Sequence, residues 1–397
     1  MMKNKCTHLC AFIPIKGGKM KDLALYIHIP FCEKKCFYCD FISFSNREED
    51  IDKYINGLIM ELSIYKEEIK DYYIKTIFIG GGTPSAIDHK YIQKILEYIY
   101  DNFNIEKLTE VTIEVNPGTL TLEKAKAYKN LGINRISLGL QTTKDETLKY
   151  IGRIHTLNDF YKSYEILKAV EFNNINVDLI FGLPNQKLED ILIDLEFISK
   201  LDINHISYYS LIIEPNTIMY KWYMEGKLNL PDEETERQMY HKAIDVLKDK
   251  GYIHYEISNF AKKGYECIHN KIYWKVQPYI GIGISSHSNF DNKRFWNVDN
   301  LEDYFKCIKA SLLPISGEEK IDKKMEMAEY CILGLRLING VNKSEFKKRF
   351  NCNLYDIYGK VIFKHIKNGL LIENNNNIML TNKGLDLANL VEIDFMP

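Results

Sequence analysis

The sequence predicts an α/β protein built on a partial (β/α)6 barrel, with a smaller α+β module after it. Three observations carry that prediction. Apolar strand-like runs recur along the first half: LALYIHI (23–29), TIFIGG (76–81), EVTIEV (110–115), NRISLGL (134–140), NVDLIFG (176–182) and HISYYSLI (205–212). Between them lie stretches of helical period such as DKYINGLIMELSIYKEEI, KYIQKILEYIYDNF, LEKAKAYKNLG and LEDILIDLEFISKL; strands and helices alternating at this spacing make βαβ units on a parallel sheet. Six units fall short of the eight that close a full barrel, so an incomplete one is expected.

Residues 1–19, MMKNKCTHLCAFIPIKGGK, differ in texture from the rest of the chain and lack the apolar region and small-residue cleavage site of a secretory signal. We expect this leader to lie upstream of the translated protein, with Met20 as the start. Lys16-Gly17-Gly18-Lys19 is what a purine-rich ribosome-binding sequence encodes when read in frame. An intact mass of the natively expressed protein that includes Met1 to Lys19 would sink this idea. Cys6, His8 and Cys10 form a ligand-like set only if the leader is retained.

The barrel is expected over residues 20–220. Residues 221–310 read as a barrel extension and connecting segment, mixed and polar, with the glycine-punctuated pieces NFAKKGYECIHNKIYW and YIGIGISSHSNF. The C-terminal module is expected over 311–397. There, helical KKMEMAEYCILGLRLI, NKSEFKKRF and LYDIYGKVIFKHIKNG precede LLIENNNNIMLT, a hairpin with its tip at Asn374–Asn377. Three helices and a hairpin resemble a small winged helix.

Composition narrows the function classes. With 46% hydrophobic and 27% charged residues, the chain reads as a soluble globular protein with a sizeable core. A net charge of −2 gives no global attraction to nucleic acid or to an anionic membrane. Nine cysteines, an odd number in a long chain, read as reduced cytoplasmic thiols rather than a disulfide framework. No apolar run approaches the ~18 residues of a transmembrane segment.

Every predicted strand ends in something other than simple core. The ends are the cysteine loop FCEKKCFYCDF, Gly80-Gly-Gly-Thr-Pro-Ser85, Glu114-Val-Asn-Pro117, Gly139-Leu-Gln141, Asp178-Leu-Ile-Phe-Gly182 and Tyr208-Tyr-Ser-Leu211. Ligands of α/β barrels and open sheets sit at the carboxyl ends of the strands, so six such peptides on one rim mark a site. Cys32, Cys36 and Cys39 provide three thiolates where a closed zinc site needs four ligands. An iron–sulfur cluster normally takes four cysteines, so three leave one iron with an open position. The glycine triplet exposes backbone to close approach because no Cβ stands in the way. Glu114 is placed to accept hydrogen bonds from ribose hydroxyls. Asp178, inside an apolar strand, is costly to bury unpaired, and Arg153 is its expected partner or else a binder of a ligand carboxylate.

The C-x3-C-x2-C spacing on the loop after the first barrel strand is the hallmark of the radical S-adenosylmethionine (SAM) superfamily. YIHIPFCEKKCFYCDF, GGGTPS, EVNPGTL, GLQT, DLIFGLPNQ and YEISNFAKKGYECIHNKIYW…GIGISSHS together resemble the oxygen-independent coproporphyrinogen III oxidase family, over essentially everything after Met20. The resemblance implies a [4Fe–4S] cluster on Cys32, Cys36 and Cys39. Its open iron would take SAM, served by Tyr26 and Glu114. Tyr38, Gly81, Gly82, Thr83, Gln141, Arg153, Asp178 and Ile212 match other SAM-contacting positions, some of a second SAM site. The implied electron donor is of the flavodoxin or ferredoxin type.

That family has two branches. The porphyrinogen dehydrogenases carry a further cysteine two residues after the third cluster ligand, where this chain has Phe41. The CDF ending and HNKIYW resemble the other branch, the radical SAM haem chaperones of the HemW type. The expected function is therefore to bind haem and pass it to an acceptor protein. The alternative is oxidative decarboxylation of two propionates of coproporphyrinogen III to vinyl groups. Thiolate and imidazole are usual axial haem ligands, which makes Cys267 and His269 candidates, with Tyr273 and Trp274 as an aromatic wall. A third reading puts Lys343, Lys347, Lys348 and Arg349 of the C-terminal module on DNA phosphates. With one basic cluster and no overall positive charge, nucleic acid is not the expected partner.

Overall fold

The computed structural model describes residues 20–397; Cys6, His8 and Cys10 lie outside the described residues. The six predicted units are present. They run β1 (Lys21–Ile29), α1 (Ile51–Tyr65), β2 (Tyr72–Gly81), α2 (His89–Asn102), β3 (Asn104–Val115), α3 (Leu122–Asn130), β4 (Arg135–Gln141), α4 (Asp145–Tyr150), α5 (Leu157–Ala169), β5 (Ile175–Phe181), α6 (Leu188–Ser199) and β6 (His205–Ser210). Strands β1 to β6 pair in sequence order and all in parallel. Local chemistry starts the helices where the pattern placed them. Asp88 caps α2 through the Lys90 amide, and Thr156 with Asp159 forms a capping box on α5.

The segment after β6 widens this sheet. Helices α7 (Ile218–Met224) and α8 (Glu233–Asp249) lead into β7 (Ile253–Glu256) and β8 (Asn259–Ala261), and β8 pairs antiparallel with β6. After α9 (Ile268–Trp274), β9 (Tyr279–Ile282) returns to pair in parallel with β1. β10 (His287–Phe290), β11 (Lys293–Asn297), α10 (Leu301–Lys309) and β12 (Ile315–Lys320) then extend that side. The result is a twelve-stranded sheet in the order β12-β11-β10-β9-β1-β2-β3-β4-β5-β6-β8-β7, open at both edges. Because β12 pairs with β11, residues 315–320 belong to the barrel sheet, and the C-terminal module begins after Lys320 instead of at 311.

Strand alternation sorts side chains into two environments. Outward residues such as Ile77, Ile79, Ile113, Ile136, Leu138, Val177 and Ile206 join one buried core under the helices. Inward residues include Thr76, Glu110, Glu114, Arg135, Ser137, Asn176, Asp178, His205 and Ser207, so the lumen is polar where barrels are usually filled by branched apolar side chains. Helix α9 plugs the end of the lumen opposite the strand carboxyl ends. The Glu110 carboxylate accepts the Ile268 and His269 amides, both at 3.0 Å, and Thr76 bonds His269 Nδ1 at 2.7 Å.

The C-terminal module has its own core. It comprises α11 (Lys323–Leu335), β13 (Val341–Asn342), α12 (Lys343–Phe350), α13 (Leu354–Lys367), the hairpin β14 (Leu371–Glu373) and β15 (Asn377–Leu380), and short helices α14 (Asn382–Asp386) and α15 (Ala388–Glu392). The three-stranded sheet β13-β15-β14 and the three preceding helices give the expected winged-helix arrangement. Two members of its basic cluster are occupied within the protein. Arg349 donates to the Lys275 and Val276 carbonyls at the end of α9, at 2.9 and 2.7 Å, and also pairs with Glu326; Lys343 bonds Glu373 at 2.6 Å. The phosphate-reading role considered for these two residues does not fit this geometry. No helix among the described residues is long and apolar enough to cross a membrane.

Candidate functional site: the cysteine loop at the barrel mouth

The loop after β1 is tied down by backbone bonds from both of its sides. Cys32 N–H donates to the Phe44 carbonyl (2.9 Å) and Phe44 N–H to Pro30 (2.7 Å). Phe37 N–H donates to the Ile151 carbonyl (3.0 Å), and Met219 N–H of α7 to the Phe37 carbonyl (2.9 Å). His28 fastens the loop from below: its Nε2 bonds the Ile42 carbonyl at 2.9 Å, and its Nδ1 pairs with the Tyr26 hydroxyl at 3.0 Å. Burial lowers the His28 pKa to about 4, so the ring stays neutral in that role.

Each glycine of the triplet is required by a different neighbour. A Cβ on Gly80 would meet Glu114 Oε2 at 2.9 Å, and one on Gly81, at φ +114°, would meet the His28 ring at 2.6 Å. A Cβ on Gly82 would meet the Phe31 carbonyl at 2.8 Å and Cys32 Sγ at 3.0 Å. The triplet therefore does more than leave room for a ligand. It packs Glu114, His28 and the cysteine loop against one another, with Gly82 and Thr83 amides on the Ile29 and Phe31 carbonyls, each at 2.8 Å.

Two polar side chains reach the sulfurs. Thr83 Oγ1 lies 3.5 Å from Cys32 Sγ, and Arg153 Nη1 lies 3.6 Å from Cys36 Sγ. Asn116 joins these two. Its amide donates to Thr83 Oγ1 at 2.9 Å, and its oxygen accepts from Arg153 Nη2 at 2.8 Å. Arg153 also donates to the Gly139 carbonyl at 2.9 Å. The expected Arg153–Asp178 pair is not formed. Asp178 is instead held by Asn176 (2.7 Å) and Ser137 (3.2 Å), and Arg153 is occupied at the loop.

Glu114 projects from the end of β3 and accepts the Gly81 amide at 3.0 Å. Burial first, and then the Asp178 charge, push its pKa up to about 8. Asp178 is raised mainly by burial. Two carboxyl groups thus share the mouth with no matching cation bonded to them, an arrangement suited to ligand hydroxyls. Gln141 is buried at the end of β4 in a left-handed conformation (φ 73°), against Gly139. Tyr38 packs on Ile151, Ile180, Leu183 and Met219. Ile212 sits exposed on the loop after β6.

Cys267 and His269 are elsewhere. Both are buried in the plug. His269 has its two nitrogens on Thr76 and Tyr273, each at 2.7 Å, and Cys267 faces Glu110. Neither offers iron a free ligand atom, so the expectation of haem ligation there does not fit. Trp274 is likewise a packing residue, with the Arg336 guanidinium 4.4 Å over its ring.

Sequence reasoning passed over His28, Arg135 and His205. Arg135 is buried in the lumen, its Nε without a partner, and His205 links Tyr255 (2.8 Å) to Asn176 (2.5 Å). Period-two alternation of polar residues along β4 and β6 was the signal that could have found the last two.

A radical SAM superfamily model matches residues 26–198, and a HemN C-terminal domain model matches 321–387. The chain is 38% identical over 376 residues to the heme chaperone HemW of Lactococcus lactis, covering 95% of this chain and 98% of that one. It is 36% identical over 367 residues to the heme chaperone HemW of Bacillus subtilis, covering 92% and 96%. Among solved structures it is similar to the coproporphyrinogen III oxidase HemN of Escherichia coli, with a TM-score of 0.83 at 21% identity, over 95% of this chain and 91% of that one. At that identity the likeness speaks for the fold alone.

Proposed function

The chain belongs to the HemW-type haem chaperones of the radical SAM superfamily, and from that membership we propose that it binds haem and passes it to an acceptor protein. In this reading Cys32, Cys36 and Cys39 hold a [4Fe–4S] cluster, and SAM takes its open iron.

The residues present fit that cofactor. Burial raises the Cys32 thiol pKa and pushes Cys39 up to about 11, so a bound cation is needed to keep both as thiolates. Thr83 and Arg153 are placed to donate to cluster-bound sulfur, and such bonds tune a cluster's potential. Among the described residues no three His, Cys, Asp or Glu side chains converge on a single ion. A cluster asks for no such convergence, since each thiolate binds a different iron. When bound, cluster and SAM together supply one-electron chemistry. The chain's own part is orientation: Glu114 and Tyr26 are the proposed holders of SAM, with Tyr38, Gly81, Gly82, Thr83, Gln141, Arg153, Asp178 and Ile212 around it.

Position 41 is the observation that favours haem carriage over porphyrinogen decarboxylation. The loop places a phenyl ring there, 61% exposed, where the decarboxylating branch is expected to carry a sulfur. The loop also exposes Lys34 and Lys35, and α7, bonded to the loop at Phe37, exposes Tyr223 and Met224. We assign the exposed face of the loop to an acidic electron carrier of the flavodoxin or ferredoxin type, because electron transfer needs close approach to the cluster. An anaerobic haem titration of the cluster-loaded protein, followed by mixing with an apo-haem protein, tests the function. Saturable binding and transfer support it; no binding overturns it.

A further inference from the structure

We propose that His287 is the axial ligand of haem, on the outer face of the β10–β12 extension; this rests on the haem-carrying function proposed above. The other described imidazoles are buried or half-buried, and each has at least one nitrogen in a hydrogen bond or ion pair. Of the ten histidines, His8 falls outside the described residues. Both nitrogens are engaged in His28, His155, His205 and His269. His89 contacts Asp88, His241 bonds Asp386, His254 bonds the Ile257 carbonyl, and His365 is buried on Asp394. His287 alone among the described histidines is exposed with neither nitrogen in a hydrogen bond or ion pair.

Its setting is a shelf built for a flat ligand. His287 pairs with Trp296 across β10 and β11, and Trp296 pairs with Gly317 on β12, so the three share one row. The imidazole and indole rings are nearly parallel, 27° apart with centroids 6.0 Å from each other. Gly317 is glycine because a Cβ there would meet the indole at 2.5 Å. The indole leans over Gly317, so a macrocycle ligated by His287 would lie along this row against the indole. On the same face, two residues from Trp296, stands Arg294. Its Nη2 is bonded to Glu329 at 2.8 Å, and a guanidinium has further N–H groups to offer a propionate. Residues of the opposite face, Ser288 and Phe295, are buried, which fixes the first set outward. Partial burial and the Arg294 charge lower the His287 pKa, favouring the neutral ring that metals bind.

The test is a ligand swap in the full-length, cluster-loaded protein titrated with haem. Wild type should show an imidazole-ligated iron by electron paramagnetic resonance and resonance Raman. His287→Ala should lose that signature and weaken binding by roughly tenfold or more. His287→Cys should convert it to a thiolate-ligated spectrum. Iron, sulfide and SAM binding should stay at wild-type levels in both. Wild-type spectra and affinity in both variants would overturn the assignment while leaving the chaperone function intact. Absence of haem binding by the wild type would overturn both.

Discussion

The Arg153 guanidinium stands 3.6 Å from the sulfur of Cys36 and spends its other arm on Asn116 and the Gly139 carbonyl. One side chain thereby joins the cysteine loop to the ends of β3 and β4. The guanidinium does this with donors on two separate nitrogens, Nη1 toward Cys36 and Nη2 toward Asn116 and Gly139, a spread that a single ammonium nitrogen lacks. Arg153→Lys should therefore lower iron content after reconstitution and weaken SAM binding by roughly tenfold, the scale of one charge-assisted hydrogen bond. Iron analysis and SAM titration check this; wild-type values for both would remove Arg153 from the site.

Gly82 should tolerate no side chain. A Cβ would press on a backbone carbonyl and on Cys32 Sγ, neither of which is the far end of a flexible group. Gly82→Ala should cost about 1–3 kcal/mol of overpacking at the loop. The readout is cluster loading at unchanged helix content. Gly359→Ala, in α13 with ordinary helical backbone and no Cβ contact closer than 3.5 Å, is the comparison at a glycine that has room for a methyl group.

Glu110 should matter to stability before it matters to chemistry. It satisfies two amides at the start of the plug helix from inside the lumen, so Glu110→Ala leaves both donors unpaired in a buried place. A loss of about 2–5 kcal/mol is expected in denaturant unfolding. The apo-protein should show it as fully as the loaded one.

Glu61 supplies a pH dependence. Fully buried on α1, it accepts Gly283 N–H, Asn297 and Tyr304, and burial pushes its pKa up to about 7 from an ordinary value of 4.5. Between those two values the folded state holds a proton that the unfolded state has released. Stability should therefore fall as pH rises from about 4.5 to 7 and level off above, by about 3 kcal/mol for this group. Glu61→Gln should flatten that part of the wild-type curve; a difference curve without slope in this window would contradict the assignment.

The barrel was legible because each strand carries a row of apolar residues on one face and each helix keeps its period. The cluster loop was legible because three cysteines at fixed spacing have few other uses. What the sequence concealed depends on pairing across distance. β12 looked like part of the C-terminal module because Ile315–Lys320 is short and polar, and only its ladder with β11 gives it away. Asp178 and Arg153 looked like partners because each wanted one. Asn176, two residues before Asp178 on the same face, and Asn116 beside Arg153 satisfied them separately. Cys267 and His269 looked like haem ligands by residue type, and a carboxylate 157 residues earlier in the chain had already claimed their segment.

Haem carriage in place of porphyrinogen decarboxylation is tested most directly by one anaerobic incubation. The reconstituted protein is mixed with reductant, SAM and coproporphyrinogen III, and the porphyrins are weighed by mass spectrometry. Haem carriage predicts unchanged coproporphyrinogen, from a preparation that binds SAM and haem. Loss of two carboxyl groups per porphyrin, abolished by Cys36→Ala, would contradict it.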